Sequence, residues 1–348
     1  MSPPYKRGCS NLKEDKQEMT KEERNQHNND ISNKFIPRLL EPGMLGKLDE
    51  LSTQDLIVIQ KNAKYALDKK ILHMNEDQSL KFGGAIEQIQ SMIADKVKKA
   101  DKLYVIIDKT TRMPYLNNDA RIFVFSEEEF ANEALDYFTQ QMRRWEIKEI
   151  SKENIVSTLG CYFFMNGALG IVVDNGQTFI HILSEDLIEA PDFSDTRPEN
   201  IPVANPDFLR ILTMLEQERH WGVTYEGKES RLRFFEDHMI LTFVNAKFLV
   251  PAKGMSNLSK GGKIIIPSLS NGKDKATPVF TDWDQFNKIY SQKEWDGWVW
   301  TAKDLLHAPD DVIVVNAGEI GFVMDKKMIA KIFEIYEKEI LPVEKGKM

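Results

Sequence analysis

A mixed α/β fold repeated as two similar domains, each a mixed β-sheet with flanking helices, is what this chain of 348 residues predicts. Three blocks carry the expectation, because each occurs twice at nearly constant spacing. Val124-Phe125-Ser126 matches Val279-Phe280-Thr281, with Thr281 lying 155 residues after Ser126. Ile150-Ser151 matches Trp300-Thr301, 150 residues on. Gly167-Ala168-Leu169-Gly170-Ile171-Val172-Val173-Asp174 matches Gly318-Glu319-Ile320-Gly321-Phe322-Val323-Met324-Asp325, 151 residues on. Spacings that drift so little point to an internal duplication.

Each block predicts local structure. Ser126 precedes Glu129 by three residues and Thr281 precedes Asp284 by three, a hydroxyl–carboxylate spacing that caps a helix. The first two blocks therefore read as a strand, a cap and a helical turn. In the third, Tyr162-Phe163-Phe164 and Val312 to Val315 lead into Asn166-Gly167 and Asn316-Ala317-Gly318. Turn residues between apolar runs predict a hairpin in each copy, with Cys161 opening a strand.

The remaining elements follow in chain order. Residues 1–34 hold scarcely any large apolar side chain and read as a disordered or loosely helical tail. The first domain is expected over 35–190. It has a capping box at Ser52 to Asp55, a helix over Leu80–Lys99 with Ile86, Ile89, Ile93 and Val97 in a stripe, and a buried strand Leu103–Asp108. Thr178–Leu183 is its last strand. Pro191, Pro198, Pro202 and Pro206 mark a linker over 191–206. The second domain, 207–348, restarts with a helix over Phe208–Gln217. Strands are expected from Met239 to Val250, and a closing helix over Lys326–Ile340 has its apolar stripe at Ile329, Ile332-Phe333 and Tyr336.

The second copy resembles the SseB family, named for enhanced serine sensitivity in bacteria. Thr277-Pro278-Val279-Phe280-Thr281, Gly297-Trp298-Val299-Trp300 and Val315-Asn316-Ala317-Gly318 carry the resemblance. The last turn lacks the proline of the family's Asn-Pro-Gly. The resemblance implies a mixed α/β domain in each of two tandem repeats. It supplies no catalytic residue.

Composition limits the function classes. A 42% hydrophobic and 29% charged chain can bury cores and stay in solution. A net charge of −8 argues against a general nucleic-acid or anionic-membrane binder. No apolar run approaches the ~20 residues of a membrane span, and the N-terminus lacks a signal-peptide core. Two cysteines, Cys9 and Cys161, suit a reducing cytoplasm.

Site signatures are mostly negative. Ser259-Lys260-Gly261-Gly262-Lys263 lacks the first Gly and the final Ser or Thr of a phosphate loop. The six histidines show no metal-ligand spacing, and His181 on a strand reads as structural. Gly-x-Ser-x-Gly is absent, and Cys161 reads as a small buried side chain. The Gly-x-x-Gly pairs precede strands rather than helices, so they are not dinucleotide loops. No catalytic residue, cofactor or metal is expected.

The surviving feature is aromatic. Trp283, Trp295 and Trp298 cluster in the second copy beside Trp300. Trp300 aligns with Ile150 and is expected in the core. Trp298 aligns with Lys148 and is expected at the surface, where tryptophan marks recognition sites. The leading expectation is a non-catalytic module that binds a protein or peptide through Trp298, Trp283 and Trp295. The alternative is a small-molecule regulatory protein or enzyme with a pocket between the repeats, its carboxylates supplied by Asp174 and Asp325.

Overall fold

The computed structural model describes residues 19–197, 200–254, 263–270, 272, 274–318 and 320–340. The Ser259 to Gly262 part of the phosphate-loop-like segment lies outside them. The fold is mixed α/β, and the chain divides into two compact units, Met1–Ile89 and Gln90–Met348.

The first unit is helical. α1, Lys21–Phe35, starts at a capping box in which the Thr20 hydroxyl and the Glu23 carboxylate each take the other's backbone N–H. Of the expected tail, residues 1–18 lie outside the described residues, while α1 lies against α3 and buries Ile31 and Phe35. Two apolar side chains one turn apart are enough to dock an otherwise polar helix. After α2, Met44–Leu48, α3 runs Thr53–Asp68 behind the expected Ser52–Asp55 capping box. His27 Nε2 meets Asp55 Oδ1 at 2.8 Å across this pair. α4, Glu76–Lys99, extends from the first unit into the second.

Three sheets lie in the second unit, the two later ones joined by a single bridge. The first contains β1 (Lys102–Asp108), β2 (Arg121–Phe125), β3 (Trp145–Ser151), β4 (Gly170–Val173) and β5 (Ile180–Leu183), in the order β3-β1-β2-β4-β5. β2 and β4 are parallel and the other neighbours antiparallel. A parallel pair needs a long crossover. Here it is α5 (Glu128–Gln140), β3 and α6 (Ile155–Phe164). A short α7, Ser184–Leu187, follows β5.

The chain then enters α8 (Pro206–Arg219) and α9 (Lys228–Val244). Next come β6 (Lys247–Ala252), β7 (Leu269–Ser270), β8 (Lys275–Val279), α10 (Trp283–Asn287), β9 (Asp296–Thr301), β10 (Val312–Val315), β11 (Phe322–Asp325) and α11 (Lys326–Ile335). β6 pairs with β9 and bridges β8 at Leu249–Phe280, where each residue donates its N–H to the other's carbonyl. β10 lies parallel to β8 and antiparallel to β11. The two-residue β7 pairs antiparallel with the start of β8; with β7 set aside, the order read through the Leu249–Phe280 bridge is β9-β6-β8-β10-β11. Order and directions match the first sheet.

The structure corrects several sequence expectations. Tyr162-Phe163-Phe164 and Cys161 are helical, in α6. Ile155, Leu159, Tyr162 and Phe163 are buried at 3.6-residue spacing, which outweighs the aromatic run's strand preference. Met239 to Val244 likewise continue α9 rather than starting a strand. The third block is out of register. Gly170–Val173 is the parallel neighbour of β2, and its counterpart beside β8 is Val312–Val315, not Phe322–Asp325. Asp174 therefore corresponds to Asn316, not to Asp325.

Nor do Ser126 and Thr281 cap helices. Both bind the residue that ends the crossing strand. Ser126 donates its N–H (2.7 Å) and its hydroxyl (2.8 Å) to Asp174. Thr281 donates its N–H to Asn316 Oδ1 at 3.0 Å, and Asn316 Nδ2 donates to the Thr281 hydroxyl at 3.0 Å. Asp174 and Asn316 sit at φ 58° and 50°, left-handed conformations that Asp and Asn tolerate best among side-chain-bearing residues. Asp282 is the actual N-cap of α10.

Asp174 is fully buried, and burial raises its pKa from 3.8 to about 6 despite both bonds from Ser126. Between these values the folded state holds the proton more tightly than the unfolded chain, so stability falls as pH rises through this window. Asn at this position would keep both bonds, as Asn316 does. Asp174→Asn is expected to stabilise the protein at pH 7 by on the order of 2–3 kcal/mol, with the gain fading as pH falls from 6 to 4. Urea melts of both proteins at pH 7, 5 and 4 measure this; an equal difference at every pH would sink the idea.

Candidate functional site: a cleft between the two sheets

α8 joins the two sheet-bearing halves. Its Gln217 is 3% exposed and sends its side chain into the β1–β2 connection. Oε1 accepts the Leu116 N–H at 3.2 Å, and Nε2 donates to the Pro114 carbonyl at 3.1 Å. Met113, one residue before Pro114, enters the core built around Phe208, Phe248 and Trp300. At the other end of α8, Gly167 at φ 76° faces the Pro206 carbonyl so closely that a Cβ would overlap it. Arg143 stacks on Trp221, 3.6 Å from the ring centroid, and Trp221 Nε1 donates to the Gln141 carbonyl at 2.9 Å. These contacts span residues 113 to 221 and fix the halves against each other.

They leave a cleft of about 640 Å³. One wall is the first half: β3 at Glu146 and Lys148, α6 at Cys161 and Tyr162, and Arg112 with Met113 from the β1–β2 connection. The other wall is α10 of the second half, through Asp284, Gln285 and Lys288. The volume falls in the ordinary ~300–1,000 Å³ range of ligand sites.

Charges of both signs line it. Arg112 pairs with Glu146 at 3.1 Å, and Lys288 pairs with Asp284 at 3.0 Å one helical turn away. Lys148 Nζ meets the Tyr162 hydroxyl at 3.4 Å. Burial pushes the Tyr162 phenol up and the Cys161 thiol up to about 11, with Asp284 and Asp282 adding to the latter. Cys161 is therefore a thiol rather than a thiolate near neutral pH. Gln285 is 4% exposed, and its Oε1 is buried without a hydrogen-bond partner.

The cleft runs beside an edge of the first sheet. β3 pairs with β1 on one side, and among the described residues nothing pairs with its other side. The Arg144 carbonyl and the Lys152 N–H both point to the β1 side. By alternation, the backbone groups of Trp145, Ile147, Glu149 and Ser151 point outward.

The tryptophans do not converge on this cleft. Trp298 and Trp300 share a face of β9, their rings 5.3 Å apart and edge-on, and both pack on the core around Phe248 and Leu305. Trp300 is 7% exposed, as expected. Trp298 is half-buried, which corrects the surface position read from its alignment with Lys148. Trp283 and Trp295 lie on the opposite face with Phe280, Phe286 and Tyr290. The Trp283 ring covers Gly297, where a Cβ would overlap it. Asp174 and Asp325 do not meet in the cleft either. Asp174 is sealed against Ser126, and Asp325 caps α11 by accepting the Met328 N–H at 2.7 Å.

Sequence reasoning passed over Lys148, Tyr162, Asp284 and Gln285. The one available signal was the Lys148–Trp298 pairing, used there to place Trp298 rather than to find a gap at Lys148. Among the described residues no three His, Cys, Asp or Glu side chains group as a metal site, and no helix is long and apolar enough to cross a membrane.

The second half is thus mixed α/β, with the six strands β6 to β11 falling between α9 and α11 in the chain. Residues 235–331, from within α9 to within α11, match the family model of the SseB protein N-terminal domain. One such domain is matched, not the tandem pair that the sequence led us to expect. No curated protein and no solved structure matches the chain.

Burial sets the expected cost of losing each β9 tryptophan. Trp300→Ala removes a core aromatic and is expected to cost on the order of 3–5 kcal/mol. Trp298→Ala is expected to cost about 1–3 kcal/mol, more than the ~0.5 kcal/mol of a surface change, because its ring packs on Trp300. Chemical denaturation of the two variants tests the ranking; a Trp298→Ala variant as stable as wild type would restore the surface reading.

Proposed function

We propose that this chain is a non-catalytic interaction module that takes an extended segment of a protein or peptide partner in the cleft beside β3. The carrying observation is the juxtaposition of a 640 Å³ cleft with an edge strand that, among the described residues, is paired on one side only. An edge strand gives backbone hydrogen bonds to an added chain, and an adjoining pocket selects its side chains. The protonated state of Cys161, set by burial, supports binding rather than nucleophilic catalysis. A small-molecule occupant is the second reading, favoured by the cleft's volume alone. A cytoplasmic setting belongs to the same proposal and is supported by the free thiol of Cys161.

The matching strand order of the two halves supports descent from one duplicated domain, and it identifies a decisive variant. Lys148 pairs with Val105 on β1 as Trp298 pairs with Val250 on β6. Lys148→Trp therefore copies into the first half a side chain that the second half accommodates. It is expected to fill the cleft and keep the melting temperature within a few degrees. Peptides selected by the wild type from a random display library are expected to bind Lys148→Trp at least tenfold more weakly. Equal binding to a folded Lys148→Trp protein would place recognition elsewhere.

A further inference from the structure

The geometry points to a carboxylate as the group of the ligand that this cleft recognises, held by Lys148 and Tyr162. The inference rests on the cleft reading above and adds the chemistry of the occupant. Three cations and two anions line the cleft: Arg112, Lys148 and Lys288 against Glu146 and Asp284. Arg112 and Lys288 are each committed to a carboxylate, at 3.1 and 3.0 Å. Among the described residues the Lys148 ammonium meets no carboxylate, and its hydrogen-bond partner is the Tyr162 hydroxyl at 3.4 Å.

An ammonium carries three donors, and a phenol that accepts from it still has its own O–H to give. Tyr162 is 6% exposed and stays protonated, so that O–H is a fixed donor. The two groups therefore offer a cation and a neutral donor side by side, a pairing suited to the two oxygens of one carboxylate. The charge count favours a singly charged anion. A carboxylate brings the lining to neutrality, whereas a phosphate dianion would leave it negative beside Glu146 and Asp284.

A second unsatisfied group gives the ligand another feature. Gln285 Oε1, buried on the α10 wall, accepts nothing. A buried acceptor left unpaired is costly, and a ligand N–H that reaches it would satisfy it. A carboxylate together with an N–H describes the C-terminus of a peptide and equally a free amino acid. The edge of β3 favours the peptide, because a free amino acid has too little backbone to pair along it.

NMR titration of the full-length chain with N-acetyl-tetraalanine, as the free acid and as the C-terminal amide, tests this. The acid is expected to shift the amide signals of Lys148, Tyr162 and Gln285 and to bind at least tenfold more tightly than the amide. Lys148→Met keeps the side-chain stem without its charge. It is expected to bring the acid down to the affinity of the amide, and Tyr162→Phe to weaken the acid several-fold without affecting the amide. Free alanine binding as tightly as the peptide acid would keep the carboxylate site and assign it to a small ligand. Equal shifts by acid and amide would overturn the carboxylate inference and leave the peptide cleft standing. Tighter binding of inorganic phosphate, or no shift at the cleft with either peptide, would overturn the inference, and the Lys148→Trp display experiment then decides separately whether the cleft binds peptides.

Discussion

The cleft depends on one buried side chain. Gln217 reaches from α8 into the β1–β2 connection and satisfies two backbone groups there, the Leu116 N–H and the Pro114 carbonyl. Backbone polar groups in a buried connection must find partners; this one pairs several of its own, such as Tyr115 N–H with the Ile106 carbonyl, and Gln217 takes up the Leu116 N–H and the Pro114 carbonyl. A primary amide is the side chain that answers a donor and an acceptor together. Because Gln217 belongs to α8, which packs with Phe248 and Trp300 in the second core, the same two bonds that complete the first half tie it to the second. Met113 strengthens the tie by burying in that core. The walls of the cleft are then fixed, since Arg112 and Met113 on one side and α10 on the other are carried by elements that this clasp holds together.

The sequence made the strands partly legible, and the reason is physical. Leu103–Asp108 and Val124-Phe125 are apolar runs flanked by turns, and such runs announce buried strands without help from tertiary context. The alignment of Ile150 with Trp300 also holds in the sheets, because a residue on an edge strand keeps its facing even when its type changes. The third block misled because glycine and valine recur on any hairpin. Gly167–Asp174 resembles both strands that follow β8's helix and edge strand, and nothing local chooses between them. The choice is made by a long-range bond: Ser126 to Asp174 in one half, Thr281 to Asn316 in the other. The hydroxyls were visible in the sequence. Their partners, 48 and 35 residues away, were not.

The site was less legible than the fold because it is made by absence. Tryptophans draw attention in a sequence, yet here they are spent on packing. Trp298 and Trp300 close one face of the second sheet and Trp283 covers Gly297 on the other. A cleft arises where a comparable closure does not happen. Its residues are an ordinary lysine, tyrosine and glutamine on elements that the sequence spaces 14 to 137 positions apart.

The two halves therefore divide the work of one fold unequally. At equivalent places on the edge strand, Trp298 lies over its own core, while Lys148 extends a flexible charged stem over Tyr162. An indole excludes water and closes the face; an ammonium needs water or an anion near it and keeps the face open. The second half, closed on itself, supplies α10 as the facing wall. The first half, left open at Lys148, supplies the charge. Neither could form the cleft alone, so a recognition site at this position requires both halves held at a fixed distance, which is what the buried amide of Gln217 secures.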